Sequence, residues 1–298
     1  MSLRVWPVSE RADWLGESPV WDSDARRLYW VDAVRRLVRS YDPASGAFRE
    51  WPTPSIAGSV ALATDGSLVV GLVDEIALLD LETGVCATVF RPEPSDPLVR
   101  FNDGRSDRDG SFLCGTMGVH ADPRGRLYRV DREGRTEALA DDIRIANALA
   151  LSPDGRTLYF ADSLERTIRA YRYRPDAPLS GQRVFFDTSP YGSGPDGATV
   201  DADGCLWVCL IQTGKIARIT PAGALDRIID APVDLPSSVA FGGDDLGTLF
   251  VTSIKDSGSG RAVSKHPLGG TLFAIEGLGV KGLPERRFAY STRGKVEP

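Results

Sequence analysis

The sequence predicts an all-β protein, a six-bladed β-propeller, and three observations carry the prediction. First, one short motif recurs six times: a turn followed by an apolar or aromatic run. It reads LYWVD from Leu28, LVVGL from Leu68, FLCGT from Phe112, LYFAD from Leu158, LWVCL from Leu206 and LFVTS from Leu249, at steps of 40, 44, 46, 48 and 43 residues. Second, each run is followed by another β-like segment that ends in a polar turn, as in VRSYDPASG, IALLDLETG, LYRVDREG and IARITPAG. Third, apolar residues at helical spacing are missing throughout. A period of about 45 residues with four strands per unit is a propeller repeat rather than a solenoid repeat, which is shorter, or a sandwich.

The turns before the runs justify the units one by one. Five carry Asp-Gly or related chemistry (TDGS, DRDGS, SPDGRT, DADGC, GGDDLGT), and the first, DSDARR, does the same without glycine. Such dipeptides supply the backbone a hairpin turn requires. The third unit poses a difficulty: RFNDGRSDRDG holds two Asp-Gly pairs where one turn suffices. Asp109-Gly110 directly precedes the apolar run and reads as the turn, which leaves Asn102-Asp103-Gly104 at the start of the innermost strand. The last unit is stretched by IKDSGSGRAVSKHPL, residues 254–268. This segment is expected to be a surface insertion, with a rim of the central opening as the alternative. Residues 1–290 are expected to form one propeller domain, and 291–298 a disordered or expression-derived tail.

Composition excludes several classes of function. The chain has 298 residues and a formal charge of -6, with 42% hydrophobic and 26% charged residues. No Lys/Arg cluster marks a nucleic-acid surface. No run approaches a membrane span, and MSLRVWPVSERADW lacks the apolar core of a secretion signal, so a cytoplasmic location is expected. The four cysteines, Cys86, Cys114, Cys205 and Cys209, form no CxxC pair and are expected to be reduced thiols. With two histidines and no GxSxG elbow, a Ser-His-Asp hydrolase is not supported. Phosphate-loop and dinucleotide fingerprints are absent.

The residues just ahead of each turn carry the chemistry. In ESPVWD, GSVALA, NDGRSD, NALALS, DGATVD and SSVAFG the first residues are Glu17, Gly58, Asn102, Asn147, Asp196 and Ser237, each 10 to 12 residues before its apolar run. Inner strands of a propeller line its axis, so equivalent positions form a ring at one depth. Two carboxylates and two amides converging there describe a hard-cation site. Ca²⁺ fits first, and Zn²⁺, Mn²⁺, Mg²⁺ or Fe²⁺ remain open because ligand type alone does not fix the metal.

LGESPVWD, RFNDG, GTM, IANALALSPDG and GPDGATVDADGCLWV resemble, in order and spacing, the signature segments of the regucalcin/gluconolactonase (senescence marker protein) family. The resemblance implies a six-bladed propeller with one divalent cation and hydrolysis of a sugar lactone to the free acid. It implies Glu17, Asn147 and Asp196 as metal ligands, Asp196 also as the proton donor and acceptor, and Arg100 and Asn102 as substrate contacts. One departure stands out. Many relatives carry an acidic residue after GTM, whereas this chain reads GVHADPRG, so His120 is either a substrate contact or an exposed loop histidine. Because propellers also serve as docking surfaces, a non-enzymatic calcium-binding or protein-docking role is the alternative, as is an esterase or phosphotriesterase activity at the same metal.

Overall fold

The computed structural model describes residues 3–9 and 11–290, and the expected tail at 291–298 lies outside them. The described residues form six four-stranded antiparallel sheets, three 3₁₀ turns and no α-helix. In chain order the innermost strands of blades 1 to 6 are Gly16–Asp22, Ser59–Leu62, Val99–Ser106, Ala146–Leu151, Pro195–Val200 and Pro236–Gly242. The apolar runs read from the sequence are the second strands. The third unit resolves as expected: Asn102-Asp103-Gly104 lies within the inner strand and Gly110 takes the positive φ of the turn, 89°.

Burial falls from the axis outwards. Inner strands such as Ser59–Leu62 and second strands such as Leu206–Leu210 are buried on both faces, which explains their continuous apolar runs. Outer strands such as Ala47–Pro52 and Leu225–Asp230 are largely solvent-exposed and mix charged with apolar residues. The core is therefore divided into six clusters, one between each pair of neighbouring blades. Between blades 6 and 1, for example, Trp21 stacks on Phe250 with ring centroids 5.8 Å apart. Blade 6 is completed by the N-terminal strand Arg4–Pro7, which pairs antiparallel with Phe273–Glu276. Joining the first and last described strands in one sheet closes the ring. The repeat pattern does not assign this strand, because it lies some 20 residues before the first turn-and-run motif and depends on a partner about 270 residues away.

The recurring Asp of the turns is a structural group. Asp201 is fully buried and accepts hydrogen bonds from the Asp203 and Cys205 amides, from Trp207 Nε1 at 2.8 Å and from Arg218 Nε at 2.8 Å. Asp107 repeats this in blade 3, accepting from the Asp109 and Ser111 amides and from the Tyr173 hydroxyl at 2.6 Å. Cys114, Cys205 and Cys209 are buried free thiols, and Cys86 is a half-buried one.

Five of the six inner strands carry a β-bulge near the same end of the blade. The register jumps by one residue between Glu17 and Val20, Phe101 and Gly104, Asn147 and Ala150, Pro195 and Ala198, and Pro236 and Ser238. Blade 2 pairs regularly. Its Gly58 instead lies against the blade 3 bulge, where a Cβ would come within 2.7 Å of the Asn102 Cα and 2.6 Å of the Phe101 carbonyl oxygen. Gly104, read as a possible turn residue, has a negative or extended φ and is small for a different reason: a Cβ there would meet the Phe112 ring and Ser59 Oγ at 2.7 Å.

Two outcomes follow from this packing. Asp201→Ala leaves Arg218 and three further donors without their buried acceptor and is expected to lower stability by about 3–5 kcal/mol in urea unfolding followed by tryptophan fluorescence. Gly58→Ala drives a methyl group into fixed backbone and is expected to cost about 1–3 kcal/mol in the same assay.

Candidate functional site

A cavity of about 690 Å³ opens on the axis, and all six blades contribute to its lining. Glu17, Arg100, Asn102, His120, Asn147 and Asp196, the six positions singled out in the sequence, all line it. Asn147 and Asp196 are 7% and 5% exposed and mark its deep end, while His120 is exposed at the mouth. The two remaining ring positions do not contribute. Gly58 packs beneath Asn102, and Ser237 is fully buried, donating to the Gly16 carbonyl and bonding to Thr252 Oγ1 at 2.9 Å.

The second strands give the common level of the ring. Glu17 and Asn147 pair with Val31 and Ala161, the fourth residues of their apolar runs, and are the last paired residues before their bulges. Asn102 and Asp196 stand opposite Gly115 and Cys209, again the fourth residues, as the first residues inside bulges that begin after Phe101 and Pro195. Two bulge placements thus serve one level. Ser18 and Ala148, which follow Glu17 and Asn147, adopt left-handed φ values of 51° and 53°, whereas Asp196 and Asn102 do not. A bulge re-aims the side chains beside it, and the two forms bring these four residues to one cavity.

A hydrogen-bonded chain fixes the amides. Arg100 Nη1 donates to Asn102 Oδ1 (2.8 Å), Asn102 Nδ2 donates to Asn147 Oδ1 (3.1 Å) and to the Ala146 carbonyl (2.9 Å), and Asn147 Nδ2 donates to Ser163 Oγ (2.9 Å). Ser163 Oγ in turn donates to the Pro195 carbonyl at 2.7 Å. Both ends are chemically one-way: a guanidinium can only donate and a carbonyl can only accept. The polarity of every amide between them is thereby set, and Asn147 Oδ1, which has a second lone pair, is kept on the side away from Ser163.

The carboxylates are electrostatically exposed to one another. Burial, then the charges of Asp196 and Asp103, push the Glu17 carboxyl well above the ordinary carboxylate range, and Arg100 offsets only part of this. Burial, then Asp103, does the same to Asp196. Asp103 itself is raised to about 6 by burial, although it accepts a hydrogen bond from the Leu149 amide at 2.9 Å. Arg100 is lowered to about 10 by burial. No side-chain donor reaches Glu17 or Asp196 among the described residues. A half-buried and a buried carboxylate, neither with a side-chain donor, call for positive charge. Together with an oriented amide oxygen they make an oxygen donor set that fits a hard divalent cation. Among the described residues no group of three His, Cys, Asp or Glu side chains gathers for metal binding, and here the third donor is an amide.

Several residues of the site were not reached from the sequence. The connections after the second strands form a further tier of the cavity: Val34, Val73, Val119, Ser163, Gln212 and Ile254, five to seven residues after the start of each apolar run. The repeat spacing held this signal, since it recurs in every unit. Gln212 is polar among them, and its amide oxygen accepts from Ser193 Oγ at 2.8 Å and from the Gly194 amide. The 254–268 segment was expected as a surface insertion, and that is corrected: Ile254, Ser257, Gly258, Ser259, Arg261 and Ala262 line the mouth of the cavity. Its composition is that of any polar loop, and only its packing against blade 1 brings it to the opening, with a Cβ on Gly258 lying 3.5 Å from Val34.

Residues 15–255 match the family model described as SMP-30/Gluconolactonase/LRE-like region. The chain is 35% identical over 279 residues to the 6-deoxy-6-sulfogluconolactonase of Pseudomonas putida, covering 92% of this chain and 95% of the relative. It is 33% identical over 292 residues to the L-arabinolactonase of Azospirillum brasilense, covering 96% of each. Among solved structures, the calcium-binding protein regucalcin from Agrobacterium tumefaciens superposes with a TM-score of 0.88 at 29% identity, covering 95% of this chain and 96% of that one. With its six blades, its axial cavity and these full-length similarities, the chain belongs to the SMP-30/gluconolactonase/LRE-like family.

Proposed function

We propose that this protein hydrolyses a sugar lactone to the free sugar acid with the help of one divalent cation held by Glu17, Asn147 and Asp196. The observation that carries the reading is the deep end of the cavity: two carboxylates that no side chain hydrogen-bonds, beside an amide oxygen whose orientation is fixed. The relatives named as lactonases support the reaction class. The regucalcin described as calcium-binding supports the cation and makes Ca²⁺ the first to try, with Zn²⁺, Mn²⁺, Mg²⁺ and Fe²⁺ as alternatives. When bound, such a cation supplies Lewis acidity toward the lactone carbonyl.

The chain's own groups do the rest. Asp196 has no side-chain hydrogen bond, so its oxygens are available to take a proton from the attacking water. It returns that proton to the ring oxygen as the ester bond breaks, which leaves the carboxyl and hydroxyl of the open acid. Arg100 and Asn102, already joined by a hydrogen bond, present a guanidinium and an amide to the sugar, and His120 contacts it from the mouth. Apolar walls at Met117, Ile145 and Ile211 limit the water that reaches the reacting bond. Ser163 does not act on substrate in this scheme. It is a positioning residue that keeps the Asn147 oxygen, not its nitrogen, available to the cation.

The purely cation-binding alternative has one observation against it. A cation needs only the donors, yet these open into a cavity whose volume lies within the ~300–1,000 Å³ of small-molecule sites.

Two measurements test the proposal. Lactone opening, followed by pH indicator, is expected to vanish after chelation and dialysis and to return when single cations are added back. Asp196→Asn is expected to lower kcat by about 10²–10⁴-fold. Activity that survives complete metal removal ends the cation-assisted reading. Ser163→Ala is expected to weaken cation affinity by about 10–100-fold, read by terbium luminescence titration rather than by turnover. Ser163→Thr, which keeps the hydroxyl, is expected to restore most of it, and an unchanged affinity in the alanine variant removes Ser163 from the positioning role.

A further inference from the structure

The charges along the cavity are sorted by depth. The carboxylates that line it, Glu17 and Asp196, sit at the deep end, whereas Arg36 and Arg261 are exposed at the mouth. Neither mouth arginine has a carboxylate partner within 4 Å among the described residues. Their neighbours do: Arg35 pairs with Asp32 and donates to the Ala12 carbonyl, and Arg39 pairs with Asp13 and Glu50. Arg36 lies in the turn after the second strand of blade 1, and Arg261 lies in the 254–268 loop of blade 6. The two segments touch, since Gly258 packs against Val34. Both guanidiniums therefore stand on one side of the opening, opposite His120 of blade 3. The loop also carries Lys255 and Lys265 against Asp256, whose Oδ1 accepts from the Gly258 amide, while Asp234, outside the loop, accepts from Ser264 Oγ and the Lys265 amide. A chain with a formal charge of -6 thus places an excess of positive charge, two guanidiniums without a carboxylate partner, on one side of its cavity mouth. A cation at the deep end would neutralise the two carboxylates and leave that excess uncompensated.

We propose that Arg36 and Arg261 form an anion clamp, and that the substrate is a lactone bearing a negatively charged substituent on the end of the sugar remote from the ester. The inference rests on the lactonase reading above and adds the substrate class. Depth sets the pose. The ester carbonyl must reach Asp196, so the far end of the sugar projects toward the mouth, where guanidiniums bind sulfonate, carboxylate or phosphate through paired hydrogen bonds. Clefts lined by one sign of charge also raise the encounter rate of oppositely charged ligands, and salt screens that gain.

The test compares gluconolactone with analogues carrying a terminal phosphate, sulfonate or carboxylate, which separates the three sources of charge. At low salt the preferred anionic analogue is expected to exceed the neutral lactone by about tenfold or more in kcat/KM. That ratio is expected to shrink at high salt and to fall at least about fivefold in Arg36→Gln/Arg261→Gln. A ratio near one in the unmodified protein, or a ratio the double variant leaves unchanged, overturns the clamp. Calorimetric binding of gluconate and of its terminally phosphorylated form, both already open, separates the two readings. If no lactone is turned over but the phosphorylated acid binds about tenfold tighter than gluconate and loses that advantage in the double variant, the clamp stands and hydrolysis falls. Equal affinity for the two acids rules the clamp out whatever the turnover.

Discussion

The inner strands of this propeller cannot remain regular ladders and still build a site. A strand in perfect register sends alternate side chains into the two adjoining inter-blade cores, and the axis receives mostly backbone. A one-residue bulge breaks that alternation, and five blades have one near the same end of the inner strand. Glu17, Asn102, Asn147 and Asp196 leave the sheets there. The sixth blade in the ring's neighbourhood, blade 2, accommodates the crowding that results, with Gly58 lying where any side chain would strike the Asn102 backbone. The site is thus a local departure from the sheet, supported by sheets that are otherwise complete.

Electrostatics then gives the departure its chemistry. Burying Glu17 and Asp196 near each other and near Asp103 is unfavourable in the protein alone. The cost is tolerable when the site receives a cation, and the amide chain from Arg100 to the Pro195 carbonyl is polarised to match, with oxygen presented at Asn147. The sequence neighbours of the site serve stability instead. Asp107 and Asp201, both fully buried, are saturated with donors from their own turns and from Tyr173, Trp207 and Arg218. The contrast between saturated and unsaturated buried carboxylates distinguishes structural acids from functional ones in this fold.

Much of the architecture could be read from the chain because repetition is a one-dimensional signal. Six turn-and-run motifs give the blade count, and the double burial of the second strands writes itself as LVVGL or LWVCL. Four of the site positions were legible for the same reason: Glu17, Asn102, Asn147 and Asp196 recur at a nearly constant distance from the runs. Ser237 met the same pattern and is a buried hydrogen-bonding residue, since spacing does not say which way a side chain points. Ser163 and Gln212 recur too, but in the connection after the run, where polar residues are ordinary and nothing local marks them.

Residue order and periodicity alone determined the number of blades, the strand that lines the axis in each, and the oxygen-rich character of what meets there, because these depend on contacts within one repeat or between successive ones. Tertiary structure decided the rest. The pairing of Arg4–Pro7 with Phe273–Glu276, the bond from Asn102 that sets the amide polarity at Asn147 and the seating of the 254–268 loop over blade 1 all join residues of different repeats. Such contacts exist only once the blades have packed side by side, so no single repeat read by itself contains them.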